Sequence, residues 1–354
     1  MYPRLLIDLD KLEHNAKTLV EMAAKYGIEV AGVTKVFCAH RDIARAFVKG
    51  GVKYLADSRI ENMKALQEFN IPKIFLRLPM LSQVDQVVKY SHISLNSEIE
   101  VIKALSAAAQ RQGRVHSIIL MVDLGDLREG IYKEEELCST VEKILALKGV
   151  ELIGLGTNLT CYGGVIPDKD NLGRLIALAE KIEKRFHIKL KLISGGNSST
   201  IHLLGQEDLR GINHLRLGES IVLGYETAYG KRIGGTFDDA FLLEAELVEI
   251  REKPSVPQGK IGMDAFGNTP HFIDRGIRRR AICAIGKQDM DDEDLIPIDP
   301  GIIVLGASSD HLIIDINDSK KEYRLGDKIQ FKLRYSSLLR AMTSKYVKKV
   351  IVKA

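Results

Sequence analysis

The chain has 354 residues, enough for two domains or for one large barrel with an appendage, and its 45% hydrophobic and 28% charged residues are ordinary for a water-soluble fold. A formal net charge of +4 spread along the chain is too weak and too dispersed to argue for nucleic acid or an anionic membrane. Apolar runs fall short of the ~20 residues a membrane span requires, and the charged opening MYPRLLIDLDK does not read as a signal peptide. Four scattered cysteines with no CxxC pair suit a reducing, cytoplasmic setting.

In chain order, a short strand over Arg4–Ile7 leads into a helix that Asp8 or Asp10 could cap. Leu12, Ala16, Leu19, Val20, Ala23 and Ala24 give that helix an apolar face at three-to-four spacing. Then short apolar runs alternate with segments of helix length. The runs are IEVAGVTKV, KYLADS, KIFLRL, HISLNS, SIILMVDLG, LIGLGTNL, LKLISGG and HLRLGES. The helical segments include 42–49, 59–69, 97–112, 133–147 and 170–186.

Strands apolar on both faces and separated by helices call for a covered parallel sheet, and eight of them close a TIM barrel. An open doubly wound sheet is the competing architecture, but the first run ends in VTKV with no GxGxxG turn. After the Gly-rich YGKRIGGT the alternation stops. From Ala240 the runs FLLEAELVEI, RRRAICAIG, GIIVLGAS, HLIIDIN and KIQFKLRY read as a small all-β domain. The expected division is an α/β barrel domain over 1–235 and a β domain over 236–354, with the option that the first short strand packs against the β domain.

Functional side chains of a TIM barrel sit at the C-terminal ends of its strands. Lys35 ends the first barrel strand between Val33, Thr34, Val36 and Phe37, where partial desolvation would lower an amine's pKa and make it a nucleophile toward a carbonyl. The alternative is a lysine that snorkels to solvent. The seventh strand runs into GGNSST, small residues with hydroxyls before a helix start, which suits an anion unless it is only a turn. The eighth runs into LRLGES, with further backbone donors at Gly218 and Glu219. An amine on the first strand and a phosphate grip on the seventh and eighth fit pyridoxal phosphate.

IDLDKLEHN, AGVTKV, VDLGDLREG, GGNSS and LRLGES, in that order, resemble the fold-type III pyridoxal-phosphate enzymes of the alanine racemase superfamily. Within it the chain is most similar to the branch of predicted amino-acid racemases that includes ornithine racemases. The resemblance spans nearly the whole chain and implies racemisation by proton removal and return at Cα. It also implies the site residues. Lys35 matches the lysine that binds the cofactor covalently. Arg128, in VDLGDLREG, matches the arginine that reaches toward the cofactor's phenolic oxygen; pairing with Asp126 or Glu129 is its alternative. Asn197, Ser198, Gly218 and Glu219 match the phosphate grip, and Tyr335 of RYSS, read as a strand residue, matches a phosphate-binding tyrosine. Arg216 matches the arginine facing the pyridine nitrogen, with a salt bridge to Glu219 as its alternative. Arginine does not release its proton, so the ring would be a weak electron sink, which suits proton return over transamination.

Two positions depart from alanine racemases. Asn158 stands where they carry a histidine beside the cofactor ring, and Lys287 where they carry the catalytic tyrosine. The second acid/base is therefore open: Ser309 and Asp310, in the segment that approaches the substrate carboxylate, His311 beside them, and Lys287 are its candidates. The resemblance implies a head-to-tail homodimer that shares each site across the interface. The substrate is a small-molecule amino acid, with ornithine or another basic one favoured. Alanine or broad specificity, or decarboxylation, is the alternative, and a decarboxylase's cysteine-bearing CE-x-D segment is missing. The histidines share no ligand spacing with one another or with cysteine, so no metal is expected. Cysteines 38 and 161 read as small buried hydrophobes.

Overall fold

The structure, a computed structural model, describes residues 2–207, 209–264 and 266–352. By its contacts the chain divides into two compact units, one over Leu9–Asp238 and the other formed by the residues up to Asp8 together with those from Asp239 on.

After strand β1 (Arg4–Asp8), the first unit opens with helix α1 (Leu9–Ala24). Its inner face carries Leu12, Ala16, Leu19 and Ala23 and also the buried Asn15. The Asn15 amide donates to Ile221 O at 2.9 Å and Phe237 O at 2.8 Å and accepts from Phe237 N at 2.7 Å, pinning the two ends of the unit together. Strands β2 (Glu29–Val33), β3 (Tyr54–Asp57), β4 (Lys73–Phe75), β5 (Ile93–Asn96), β6 (His116–Met121), β7 (Val150–Gly156), β8 (Leu192–Ser194) and β9 (His214–Leu217) follow. They pair in sequence, all parallel, and β9 closes on β2 with Ala31 opposite Arg216. The eight apolar runs are these eight strands. Ala31, Ala56, Ile74, Leu95, Ile119, Met121, Ile153 and Leu192 fill one contiguous core, the packed interior expected of a TIM barrel.

Helices α2 (Arg41–Lys49), α3 (Ile60–Ala65), α4 (Val84–Tyr90), α5 (Ile99–Arg111), α6 (Glu134–Leu145), α7 (Lys169–Phe186) and α8 (Glu219–Leu223) lie between strands. The start of α7 shows local coding most plainly. Asp168 accepts from the backbone of Asp170 and Asn171 while the Asn171 side chain accepts from Asp168 N, a reciprocal cap that satisfies donors a helix start leaves open.

The second unit is built on one sheet. Strands β10 (Phe241–Pro254), β11 (Ile277–Cys283), β12 (Leu295–Pro297), β13 (Ile303–Ala307), β14 (Leu312–Asp315), β15 (Lys328–Leu333) and β16 (Lys348–Val352) join β1 in it. The path runs β12-β15-β10-β11-β14-β13, with β1 antiparallel to β10 and parallel to β16. Strand β10 organises the sheet. Phe241, Leu243, Ala245 and Leu247 alternate inward along its first half, and a register shift at Leu247–Glu249 hands its second half to β11. On β11, Arg278 pairs with Asp315 at 2.8 Å and with Asp318.

One site residue needs correcting at this level. Tyr335 is not on a strand: β15 ends at Leu333, and Tyr335 is the first residue of helix α9 (Tyr335–Thr343). Ser337, Leu338, Ala341 and Met342 are the buried residues of that helix, a helical period that a run ending in KLRY conceals.

Candidate active site

The C-terminal ends of β2, β8 and β9, adjacent strands of the barrel, gather most of the barrel residues singled out above. Strand β2 stops at Val33, and the chain turns through a single 3-10 turn over Lys35–Phe37. Thr34 sets that turn. Its N–H donates to Ala56 O at 2.9 Å and its hydroxyl to the Asp57 carboxylate at 2.5 Å. Asp57 is fully buried at the end of β3 and also accepts from Ser58 N, Arg59 N and the Asn62 amide. Burial pushes its carboxyl above the ordinary carboxylate range against those hydrogen bonds. Val36 and Phe37 turn inward, and Lys35 faces out. The desolvated lysine expected from its apolar neighbours is therefore corrected: Lys35 is exposed, because the turn at Thr34 rotates it away from the strand's two buried faces.

Across β8 and β9 two short helical turns start facing one another. The first, Ser198–Leu203, is capped by Asn197, whose carboxamide oxygen accepts from Ser199 N at 2.8 Å. The second is α8, which begins after Gly218. Ser220 N donates to Ser198 Oγ at 3.2 Å, and the two hydroxyls lie 3.0 Å apart. Gly196, at φ +115°, has Thr200 Oγ1 only 2.9 Å from where a Cβ would sit, so glycine is required there. Ser199 Oγ is buried with no hydrogen-bond partner among the described residues. Paired helix starts, hydroxyls and an unsatisfied buried donor suit a phosphate. The Asn197 side chain is itself occupied: its amide donates to Leu159 O at 2.9 Å, so its backbone N–H is what it can offer an anion.

Behind this cradle lies Arg216, 4% exposed in the barrel interior. Its guanidinium donates to Thr157 O at 2.7 Å and to Ser194 Oγ. Burial pushes it down to about 10, still cationic at neutral pH. Among the described residues no ion pair joins it to Glu219. Asn158 holds Arg128. With its oxygen turned toward Arg128 it accepts from Nη1 at 3.1 Å and from Nη2, and its NH2 end lies 3.0 Å from the Asn197 amide. Arg128 also pairs with Glu129, one of the alternatives read from the sequence.

The loops carrying these groups are tied to each other. Asp126 is fully buried and accepts from Tyr162 N at 2.9 Å, Val165 N at 3.1 Å and Cys161 N at 3.3 Å. Burial alone would raise its carboxyl, but the backbone N–H groups of that loop outweigh burial and hold it below the usual range. Cys161 is exposed here, not the buried hydrophobe its type suggests.

In the second unit the structure brings Lys287, Ser309 and Asp310 together. Ser309 and Asp310 form the tip of the β13–β14 hairpin, closed by Ser308 N donating to His311 O at 2.9 Å. Lys287 N donates to Ser308 O at 2.9 Å and Gln288 N to Ser309 O at 3.2 Å. Only glycine fits at 286, where a Cβ would fall 2.3 Å from Ser309 O. Asp310 is exposed and accepts from Ser309 Oγ at 2.7 Å; Lys287 Nζ lies 3.3 Å from the buried Asp292 carboxylate. Tyr335 is half-buried at the start of α9. Among the described residues no three His, Cys, Asp or Glu side chains converge to hold a metal ion. No described helix is long and apolar enough to cross a membrane.

Sequence reasoning missed Asn15, Asp57, Ser194 and His214, and read Asp126 as a partner for Arg128 and not as the tie to the loop over 161–165. Asn15 lay within a quoted motif and Asp57 ends a strand, which is a signal in a barrel. Ser194 and His214 gave none.

Residues 7–226 fit alanine racemase, N-terminal domain, and the chain belongs to that family. Among relatives, the chain is 49% identical to an ornithine racemase of Acetoanaerobium sticklandii, over 99% of this chain and 100% of the relative. It is 43% identical to a lysine racemase of Thermotoga maritima, over 99% and 98%. Among solved structures, an alanine racemase of Clostridium difficile 630 superposes with a TM-score of 0.73 at 18% identity, covering 100% of this chain and 96% of that one. A D-threonine aldolase of Filomicrobium marinum gives 0.75 at 15%, covering 100% and 92%. These two likenesses show the fold.

Proposed function

We propose that the protein is a pyridoxal-phosphate-dependent racemase of basic amino acids, with ornithine as its first substrate. One observation carries this: three adjacent strand ends present an exposed amine (Lys35), an anion cradle with a buried unsatisfied hydroxyl, and a buried arginine. The full-length likeness to racemases of ornithine and of lysine supports the substrate class.

When bound, pyridoxal phosphate withdraws electrons from the Cα of an amino acid joined to it, making the Cα proton removable. Lys35 holds the cofactor through Nζ and takes and returns the Cα proton on one face. Ser198, Gly218, Glu219 and the backbone of Asn197 grip the phosphate, with Tyr335 as a further phosphate ligand. Arg128 orients the phenolic oxygen, and Asn158 keeps Arg128 in place. Arg216 can only donate toward the ring nitrogen, leaving it unprotonated.

The second face needs its own acid/base. We assign it to Asp310, with Ser309 positioned to contact the substrate carboxylate and Lys287 as the alternative acid/base. Asp310 ranks first because it is exposed, whereas Lys287 is engaged by Asp292. In this proposal the barrel domain, 1–235, and the β domain, 236–354, of different subunits complete each site in a head-to-tail homodimer in the cytoplasm. Exposed Ile261, Met263 and Ile273 in the β10–β11 connection supply apolar surface of the kind a partner covers.

The shared site is tested by mixing inactive Lys35→Ala with inactive Asp310→Ala protein. Subunit exchange should restore part of the activity, since one mixed site then keeps both groups. No recovery after demonstrated exchange would refute sharing. The substrate is tested with a panel of L-amino acids and chiral chromatography, where release of carbon dioxide instead would favour the decarboxylase.

A further inference from the structure

Arg216 is a buried cation held by neutral groups: the Thr157 carbonyl and the Ser194 hydroxyl. Such a charge is costly unless every acceptor around it is firmly oriented. Ser194 Oγ is one of those acceptors, and it also lies 2.8 Å from His214 Nδ1. His214 is fully buried on β9, two residues before Arg216.

The charge of Arg216 sets the direction of this chain. A guanidinium only donates, so Ser194 Oγ accepts from Arg216. Directing the hydroxyl proton to His214 Nδ1 turns lone pairs toward the cation and places the imidazole proton on Nε2, which is buried with no hydrogen-bond partner among the described residues. The opposite arrangement would turn the Nδ1 proton toward the same oxygen as the guanidinium and add positive potential beside a buried cation. The other groups around His214 fit a neutral ring. Tyr54 on β3 meets it edge to face at 5.3 Å between ring centroids. Glu29, opposite it in register on β2, already accepts from the Tyr54 hydroxyl at 2.8 Å. Arg216 on its own strand repels a second positive charge, and burial with that repulsion holds His214 down at about 3.

We propose that Ser194 and His214 are positioning residues: a neutral His214, protonated on Nε2, orients the Ser194 hydroxyl so that its lone pair holds the Arg216 guanidinium toward the cofactor's ring nitrogen. This rests on the reading that Arg216 faces that nitrogen. Its role is electronic placement and not fold alone, because the chain of bonds ends on the group that keeps the ring unprotonated.

The first test needs no substitution and no turnover. In the holoenzyme, nitrogen-15 NMR of the His214 ring should show an unprotonated Nδ1 and a protonated Nε2, unchanged between about pH 5 and 9. A protonated Nδ1, or a ring that titrates in that window, overturns the proposal even if the enzyme is no racemase. The second test uses Ser194→Ala and Ser194→Thr. Loss of the hydroxyl should lower kcat about tenfold, the scale of one charge-assisted hydrogen bond, with KM little changed. It should also shift the holoenzyme's visible absorbance and raise the share of transamination by-product, while threonine, which keeps the hydroxyl, restores all three. If the parent racemises and Ser194→Ala keeps its absorbance and product ratio, the proposal fails while the functional reading stands.

Discussion

Replacing Lys35 by alanine should lower racemisation by about three orders of magnitude or more, because one amine is both the cofactor's anchor and the acid/base on one face of Cα. The holoenzyme should also lose the visible band that borohydride abolishes in the parent. Lys35 is exposed beyond the end of β2, so the denaturation midpoint should barely move. The variant thus separates chemistry from folding. The cradle around Ser198 and Ser220 is untouched, so weak, non-covalent cofactor binding should persist and be visible by equilibrium dialysis. Chiral chromatography measures the loss, and a Lys35→Ala protein with normal turnover contradicts the assignment.

The second large effect is expected at Arg216. Arg216→Glu substitutes a group that can share a proton with the ring nitrogen for one that cannot. A carboxyl at this buried position is raised by desolvation, so it carries that proton near neutral pH. The ring becomes a stronger electron sink, and the carbanionic stage lives longer. Racemase kcat should fall by about tenfold or more, a long-wavelength band should build up during turnover, and the transamination by-product should rise. Arg216→Gln, which keeps a donor without the charge, is the control for lost packing. If both variants lose cofactor equally and neither changes the by-product ratio, Arg216 serves binding alone.

The barrel was legible because its strands are buried on both faces, and runs such as SIILMVDLG have no polar alternation to confuse them with surface strands. Helix α7 was legible because its face repeats over Lys169–Phe186 and its cap is local. What escaped depends on tertiary geometry. Whether Lys35 is covered turns on Asp57, 22 residues away, which holds Thr34 and ends the strand early. Ser194 and His214 sit on neighbouring strands with no shared period, so their link to Arg216 appears only when the barrel closes. Lys287 and Asp310 meet because glycine at 286 lets a hairpin tip approach its backbone. The helix at Tyr335 was hidden because a nine-residue amphipathic period begins directly behind a strand.

The central claim, interconversion of ornithine enantiomers through the Cα proton, is tested most directly in heavy water. L-Ornithine is incubated with the holoenzyme, the Cα hydrogen is followed by proton NMR and the enantiomers by chiral chromatography. D-Ornithine should accumulate toward an equal mixture, with solvent deuterium at Cα, and alanine should react far more slowly. Ornithine that keeps its Cα hydrogen and its configuration, or that loses its carboxylate to give a diamine, would contradict the account.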